Sequence, residues 1–256
     1  MAKPEEDTMG RILALVYGIA CYALFFVTFL YSIAFVGNYR IDGLVPKTID
    51  SGVMGAIVPS IAIDLLLLGV FAVQHSVMAR PGFKTAWTRI VPQSIERSTY
   101  VLLSSLALIL LFWLWRPLTQ PIWIVDNALA HDLLVGLFFA GWVIVLLSTF
   151  MIDHFELFGL KQVLHNMRGR KAPSMAFKMV AFYRIVRHPI MLGFIIAFWA
   201  TPSMTLGHLL FAVVTTLYIL VALHFEERDL VAGLGEDYVQ YRTRVRMIIP
   251  VPRKRP

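Results

Sequence analysis

The sequence predicts an all-α fold: a polytopic helical membrane bundle with four N-terminal spans, a C-terminal helical hairpin and a cytoplasmic C-terminal segment. Three observations carry that expectation. Hydrophobic residues make up 58% of the 256 and charged residues only 15%, where a soluble domain carries roughly 25% charged. Several apolar runs reach the ~18 residues needed to cross the hydrocarbon of a bilayer. Lys and Arg fall between these runs and not inside them.

The first span is read at Ile12–Val36. It is too long for a secretory signal and lacks a small-residue cleavage site, so it is expected to be retained. A polar loop over Gly37–Ser51 leads to a second span at Val53–Met78. The basic loop Ala79–Arg97 precedes a third at Ser98–Trp115, and Arg116–His131 leads to a fourth at Leu133–Ile152. Trp87, Trp115, Trp123 and Tyr39 stand near span ends, where interfacial aromatics belong. Asp153–His188 is the one long polar stretch, with breaks expected at Gly169 and Pro173. Ile190–Ala200 is apolar but short, Thr201-Pro202-Ser203 makes a turn, and Leu206–Leu223 is long enough to span. One domain is expected over 1–256, with spans in 1–152 and a cytoplasmic-facing catalytic region in 153–256.

Topology follows from charge. With the N-terminus inside, 20 of the 23 Lys and Arg lie on the cytoplasmic side, as the positive-inside rule requires. The two most basic segments then share a side only if 190–223 goes in and comes back as a hairpin. That brings Arg187-His188 together with His224–Arg228. The same rule accounts for the net charge of +7 without nucleic acid. The localisation expected is a bacterial inner membrane with both termini cytoplasmic. The single cysteine, Cys21, lies within the first span and rules out a disulfide framework or a cysteine metal site.

Two polar clusters need an explanation. His224, Glu227 and Arg228 share a helical face, with Glu226 pointing elsewhere; a charged helix end at the headgroups is the plain alternative. Asp153-His154-x-Glu156 lies where the fourth span leaves the bilayer, and an interfacial polar collar would account for it equally. His-x-Glu spacing matches no zinc motif, and no metal is expected. Asp64 and His75, inside the second run, read as satisfied structural polar groups. Neither G-x-G-x-x-G nor a P-loop is present.

The C-terminal third resembles the isoprenylcysteine carboxyl methyltransferase superfamily, integral membrane enzymes that use S-adenosylmethionine. About 75 residues carry the likeness: R-H-P-x-x-x-G at Arg187–Gly193, Glu226-Glu227-x-x-Leu230, G-x-x-Y-x-x-Y-R at Gly235–Arg242, and Ile249-Pro250. Upstream, Ser148–Val163 (S-T-F-M-I-D-H-F-E-L-F-G-L-K-Q-V) resembles the methanethiol S-methyltransferase branch, close to NnrU-type membrane proteins. The carboxyl methyltransferases tend to place an aromatic where this chain has Met191. That departure, and the lack of any sign of a prenyl site, favour the small-thiol branch.

The resemblance implies a cofactor pocket. Arg187, Arg184 or Arg242 suits the S-adenosylmethionine carboxylate because a guanidinium fork binds both oxygens. Glu226 and Glu227 suit the ammonium or the ribose diol. Tyr183, Tyr238 and Tyr241 suit the adenine, His188 and Pro189 belong to the pocket motif, and backbone at Gly193 offers close approach. It implies methyl transfer to a thiolate, which requires a base. His154 with Asp153 or Glu156 is the first candidate, and His224 with Glu227 the second. The partners expected are a small apolar thiol and the bilayer, with no obligate protein partner. Rival expectations are another acceptor (a prenylcysteine carboxylate or a lipid amine) and a non-catalytic NnrU-like role.

Overall fold

A computed structural model describes residues 8–170 and 179–250; the break expected at Pro173 lies outside them. The elements in order are α1 (Thr8–Val36), α2 (Ile57–Ala79), α3 (Pro81–Trp87), α4 (Glu96–Leu114), β1 (Pro121–Ile124), α5 (Ala128–Ile152), α6 (His154–Leu157), α7 (Leu160–Met167), a 3-10 turn (Ala181–Arg184), α8 (Pro189–Trp199), β2 (Ser203–Thr205), α9 (Leu206–Leu234) and α10 (Glu236–Arg244). Five of these helices are long and apolar enough to cross a membrane, and α8 is a shorter apolar helix beside them. The protein is an all-α integral membrane protein. Leu66, Val73, Leu133, Leu217 and Val221 on the outer faces stay exposed, which in a bilayer means facing lipid. Inside, Phe35, Phe112, Trp115, Phe138, Trp142, Phe198 and Phe211 form a largely aromatic core.

Two features differ from the sequence expectation. The last long helix does not end with the charged His224–Arg228 stretch. It continues to Leu234, where Gly235 at φ +62° breaks it. The other is a small antiparallel sheet. Pro121 opposes Thr205 and Ile124 opposes Ser203, which clasps the α4–α5 loop to the turn between α8 and α9. On the same face Thr205 donates to Asp50 at 2.6 Å, Lys47 Nζ donates to the Trp113 and Trp115 carbonyls at 2.5 and 2.7 Å, and Trp115 Nε1 donates to Ile49 O at 3.0 Å. Asp64, fully buried, accepts from the Arg116 backbone N–H at 2.8 Å.

The opposite face carries the start of α1, the α2–α4 connection, α6, α7, the start of α8 and the end of α9. Gly18 lets α1 lie against Val163 of α7, and Arg80 pairs with Asp229 at 2.8 Å. Helix α8 runs along α5, and the two meet at reciprocal glycines. A Cβ on Gly141 would lie 2.7 Å from the Gly193 carbonyl, and one on Gly193 would lie 2.6 Å from the Gly141 carbonyl. Small residues permitting close backbone approach are how membrane helices associate without a hydrophobic driving force. Gly193 is therefore occupied by helix packing, which replaces the close cofactor approach expected of it.

Candidate active site

Glu227 lies 21 residues after Leu206, about 32 Å along a helix rising 1.5 Å per residue, which matches the ~30 Å hydrocarbon thickness. It therefore reaches the far surface just where α8 begins. Pro189 occupies the first turn of α8, where its missing N–H costs nothing, and it holds Arg187 and His188 immediately outside the helix. The two ends meet directly. Arg187 donates through Nε to Glu227 Oε1 at 2.8 Å and through Nη2 to Oε2 at 3.0 Å. His188 Nε2 lies 2.7 Å from Oε1, the Tyr238 hydroxyl donates to the same oxygen at 2.8 Å, and Arg242 Nε stands 2.9 Å from Oε2. Five donor contacts on one buried carboxylate hold it ionised.

The segment after α10 completes the assembly. Arg187 Nη1 donates to the Val245 carbonyl at 2.6 Å, while the Arg187 and His188 backbone N–H groups donate to Arg246 and Met247 at 2.8 and 3.1 Å. Gly235 turns α10 so that Tyr238 and Tyr241 bury against Leu230, Val231 and Leu234. The Tyr241 hydroxyl donates to Tyr183 O at 2.5 Å. Burial pushes the Tyr241 phenol up to about 12, and burial together with Glu227 pushes that of Tyr238 up as well. Both stay protonated donors. Burial, then the Glu226 carboxylate, raises the Tyr183 phenol.

The sequence-expected residues separate into two groups. Arg187, His188, Glu227, Tyr238, Tyr241 and Arg242 converge on one knot. Glu226 stands at its edge, 43% exposed, with Oε2 3.9 Å from His188 Nδ1. Arg184 is exposed and donates to Met179 O at 3.2 Å. His224 is exposed and has no hydrogen bond to Glu227 among the described residues, so the structure does not form that pair.

The second group surrounds His154, and here the expected partners are replaced. Its Nδ1 lies 2.8 Å from Thr149 Oγ1, and its Nε2 lies 2.8 Å from the Tyr22 hydroxyl. Neither Asp153 nor Glu156 holds the imidazole. Thr149 also donates to Leu146 O, so its oxygen accepts from Nδ1–H and leaves Nε2 to accept from Tyr22. Phe150 stacks on the ring at 4.3 Å and Phe158 meets it edge-on at 4.8 Å. Burial holds the imidazole below its ordinary range, against the opposing pull of Asp153. Asp153, at φ 122°, turns away to accept from the Glu156 backbone N–H and to pair with Lys161. Glu156 is buried, and its Oε2 has no partner among the described residues. Sequence reasoning missed both Tyr22 and Thr149 as partners of His154: Tyr22 is one of several polar residues along the first apolar run, and Thr149, though inside the Ser148–Val163 stretch, carries no mark of that role. Tyr22→Phe should lower stability by about 1–3 kcal/mol by stranding a buried imidazole nitrogen; thermal unfolding in detergent measures it, and an unchanged midpoint would mean the contact carries nothing.

No family model and no solved structure matches the chain. Curated relatives do. The chain is 56% identical over 246 residues to the protein named Methanethiol S-methyltransferase from Mycobacterium tuberculosis, covering 96% of this chain and 99% of that one. It is 49% identical over 246 residues to the one of that name from Crocosphaera subtropica, covering 96% and 95%. More distantly, it is 30% identical over 212 residues to Nurim from Danio rerio, covering 75% and 74%. A shared name at this identity over nearly whole chains settles the kinship: the chain belongs to the methanethiol S-methyltransferase family.

Proposed function

We propose that the chain methylates methanethiol to dimethyl sulfide with S-adenosylmethionine as donor, at the face where α8 begins and α9 leaves the membrane. The observation that carries the site is the meeting of Arg187-His188 with Glu226-Glu227. Relatives aligned over nearly the whole chain and named for this reaction support the activity.

The residues at the knot fit the donor's chemistry. Arg187 is committed to Glu227 and to backbone carbonyls, so it builds the wall and leaves ligand contact to others. Arg184 is exposed and Arg242 keeps 44% of its side chain open; these would take the carboxylate. Glu226, partly open beside His188, would take the ammonium or the ribose diol. Tyr183 lies within electrostatic range of Glu226 and would cover the adenine. Glu227, Pro189, Tyr238 and Tyr241 hold that wall in place. When bound, the donor supplies a methyl group on a positively charged sulfur. A recessed pocket of low water content favours a transfer in which opposite charges disappear.

His154, with both ring nitrogens engaged, is assigned to tying α1 to the end of α5; Asp153 and Glu156 shape that corner. His224 is exposed and is not among the groups that bond Glu227. The basic asymmetry of 20 against 3 supports placing the knot and both termini in the cytoplasm, at a bacterial inner membrane. Residues 153–256 act as the catalytic region of a single domain.

Cells expressing the chain and supplied with methanethiol should release dimethyl sulfide into the headspace, and cells with an empty vector should not. Glu226→Gln should weaken S-adenosylmethionine binding roughly ten-fold or more in isothermal titration, since a hydrogen bond to a charged group is worth ~1.5–3 kcal/mol. A silent headspace overturns the substrate; unchanged titration overturns the site.

A further inference from the structure

A second polar cluster lies two to three helical turns beneath the knot, between α2, α4 and α9. His75 of α2 faces two hydroxyls of α4: Ser104 Oγ at 3.2 Å from Nδ1, and the Tyr100 hydroxyl at 3.0 Å from Nε2 and 3.1 Å from Nδ1. Phe71 stacks on the ring at 5.2 Å. The neighbouring Ser76 donates to the Tyr218 hydroxyl of α9 at 3.1 Å. Next to His75, Gln74 Oε1 is buried with no partner among the described residues. Ionisable groups at membrane depth are costly and mark function unless structure consumes them. Here the helices are joined through neutral hydroxyls, with no ion pair like that at Glu227 among the described residues. His75, Tyr100 and Tyr218 each keep part of their surface open.

We propose that His75 takes the proton of the acceptor thiol, and that the acceptor binds beside it, next to Tyr100 and Tyr218. This rests on the methyl-transfer reading above. The other six histidines are committed or misplaced. His188 is held by Glu227, and His154 by Tyr22 and Thr149. His208 bonds Phe198 O at the far end of α9. His131 lies beside Asp132 on that same far face, His165 bonds Lys161 O on α7, and His224 faces outward. His154 and His75 both have neutral hydroxyls on their nitrogens, but His154 is buried whereas His75 keeps part of its surface open. The link to the donor site is α9 itself, which carries Tyr218 and, eight residues on, Glu226.

The step balances without any further reactant. The thiol S–H bond breaks and its proton goes to Nε2 of His75, the nitrogen that Ser104 does not face. The sulfur's electron pair forms the new bond to the methyl carbon. The pair of the breaking carbon–sulfur bond stays on the donor's sulfur, which becomes neutral. Ser104 and Tyr100 are positioning residues that hold the imidazole ring. Besides these hydroxyls, the charged or titratable groups around this cluster are Arg97 from α4, Tyr218 and Glu226 from α9, and Arg80 from the end of α2.

A comparison of two acceptors tests it. Methaneselenol is nearly the size of methanethiol but a far stronger acid, and at neutral pH it is already ionised. In detergent-purified enzyme with S-adenosylmethionine, His75→Gln should lower kcat/KM for methanethiol roughly 100-fold, the low end of what a positioned base contributes. It should leave methaneselenol turnover nearly unchanged and S-adenosylmethionine binding intact. Should His75→Gln fail to accumulate in the membrane, Ser104→Ala reads the same acceptor dependence with a smaller loss. Equal losses on both acceptors would make His75 structural, and no loss on either would remove it from the reaction; each overturns the proposal. Wild-type enzyme inert toward both acceptors would instead bring down the methyl-transfer reading.

Discussion

Arg187→Ala should destabilise the protein by about 3–5 kcal/mol, the usual consequence of leaving one member of a buried ion pair alone. Both side chains are 7% exposed, so water cannot replace the lost partner. The substitution removes two of the contacts on Glu227 and also releases the Val245 carbonyl, which anchors the chain beyond α10. The loss should therefore be local as well as global. Arg242, Arg244 and Arg246 lie on or beside the segment that detaches, so trypsin should cut there in the variant and spare the wild type. Arg187→Lys should restore little of this, since an ammonium lacks the planar fork that reaches both carboxylate oxygens and a carbonyl together. A variant that keeps its unfolding midpoint and its resistance to trypsin would show that the C-terminal segment is held by something else.

Gly193→Val should be as damaging for a different reason. Its Cβ would lie 2.6 Å from the Gly141 carbonyl and 2.9 Å from the Val145 backbone nitrogen. Those atoms belong to the backbone of α5 and cannot swing aside, so the helices must part. Overpacking typically costs about 1–3 kcal/mol and more when side-chain adjustment cannot relieve it. We expect at least the upper figure, read as a lowered unfolding midpoint and a lower yield of folded protein. Gly136, also on α5, has nothing within 4 Å of a built Cβ, and Gly136→Ala is the control that should change neither. Equal behaviour of the two variants would dismiss the close α5–α8 contact.

The contrast between these sites shows what the chain discloses by reading alone. Spans are legible because the bilayer imposes one demand, apolar length, on consecutive residues. The return of 190–223 was legible because charge parity is a global constraint that needs no contact information, and the Arg187–Glu227 bond meets it at 2.8 Å. The sheet was not legible: Pro121–Ile124 and Ser203–Thr205 are short, and each acquires meaning only from the other, some 80 residues away. The partners of His154 were misread for the same reason. Asp153 and Glu156 are neighbours in sequence, whereas Tyr22 arrives from another helix 132 positions earlier. The left-handed backbone at Asp153 sends the expected carboxylate elsewhere. Gly193 was recognised as a site of close approach, but the approaching body proved to be α5.

The eleven residues of α8 cover only about 16 Å, roughly half of the hydrocarbon depth. Such a segment has too little apolar length to partition into lipid unaided. It must be received by a helix already seated there, and the groove that Gly141 leaves in α5 is shaped to receive it. Biogenesis thus has an order written into it: the Arg187–Glu227 knot can be built only after α5 is in place, so a ribosome must commit the scaffold before that face can close.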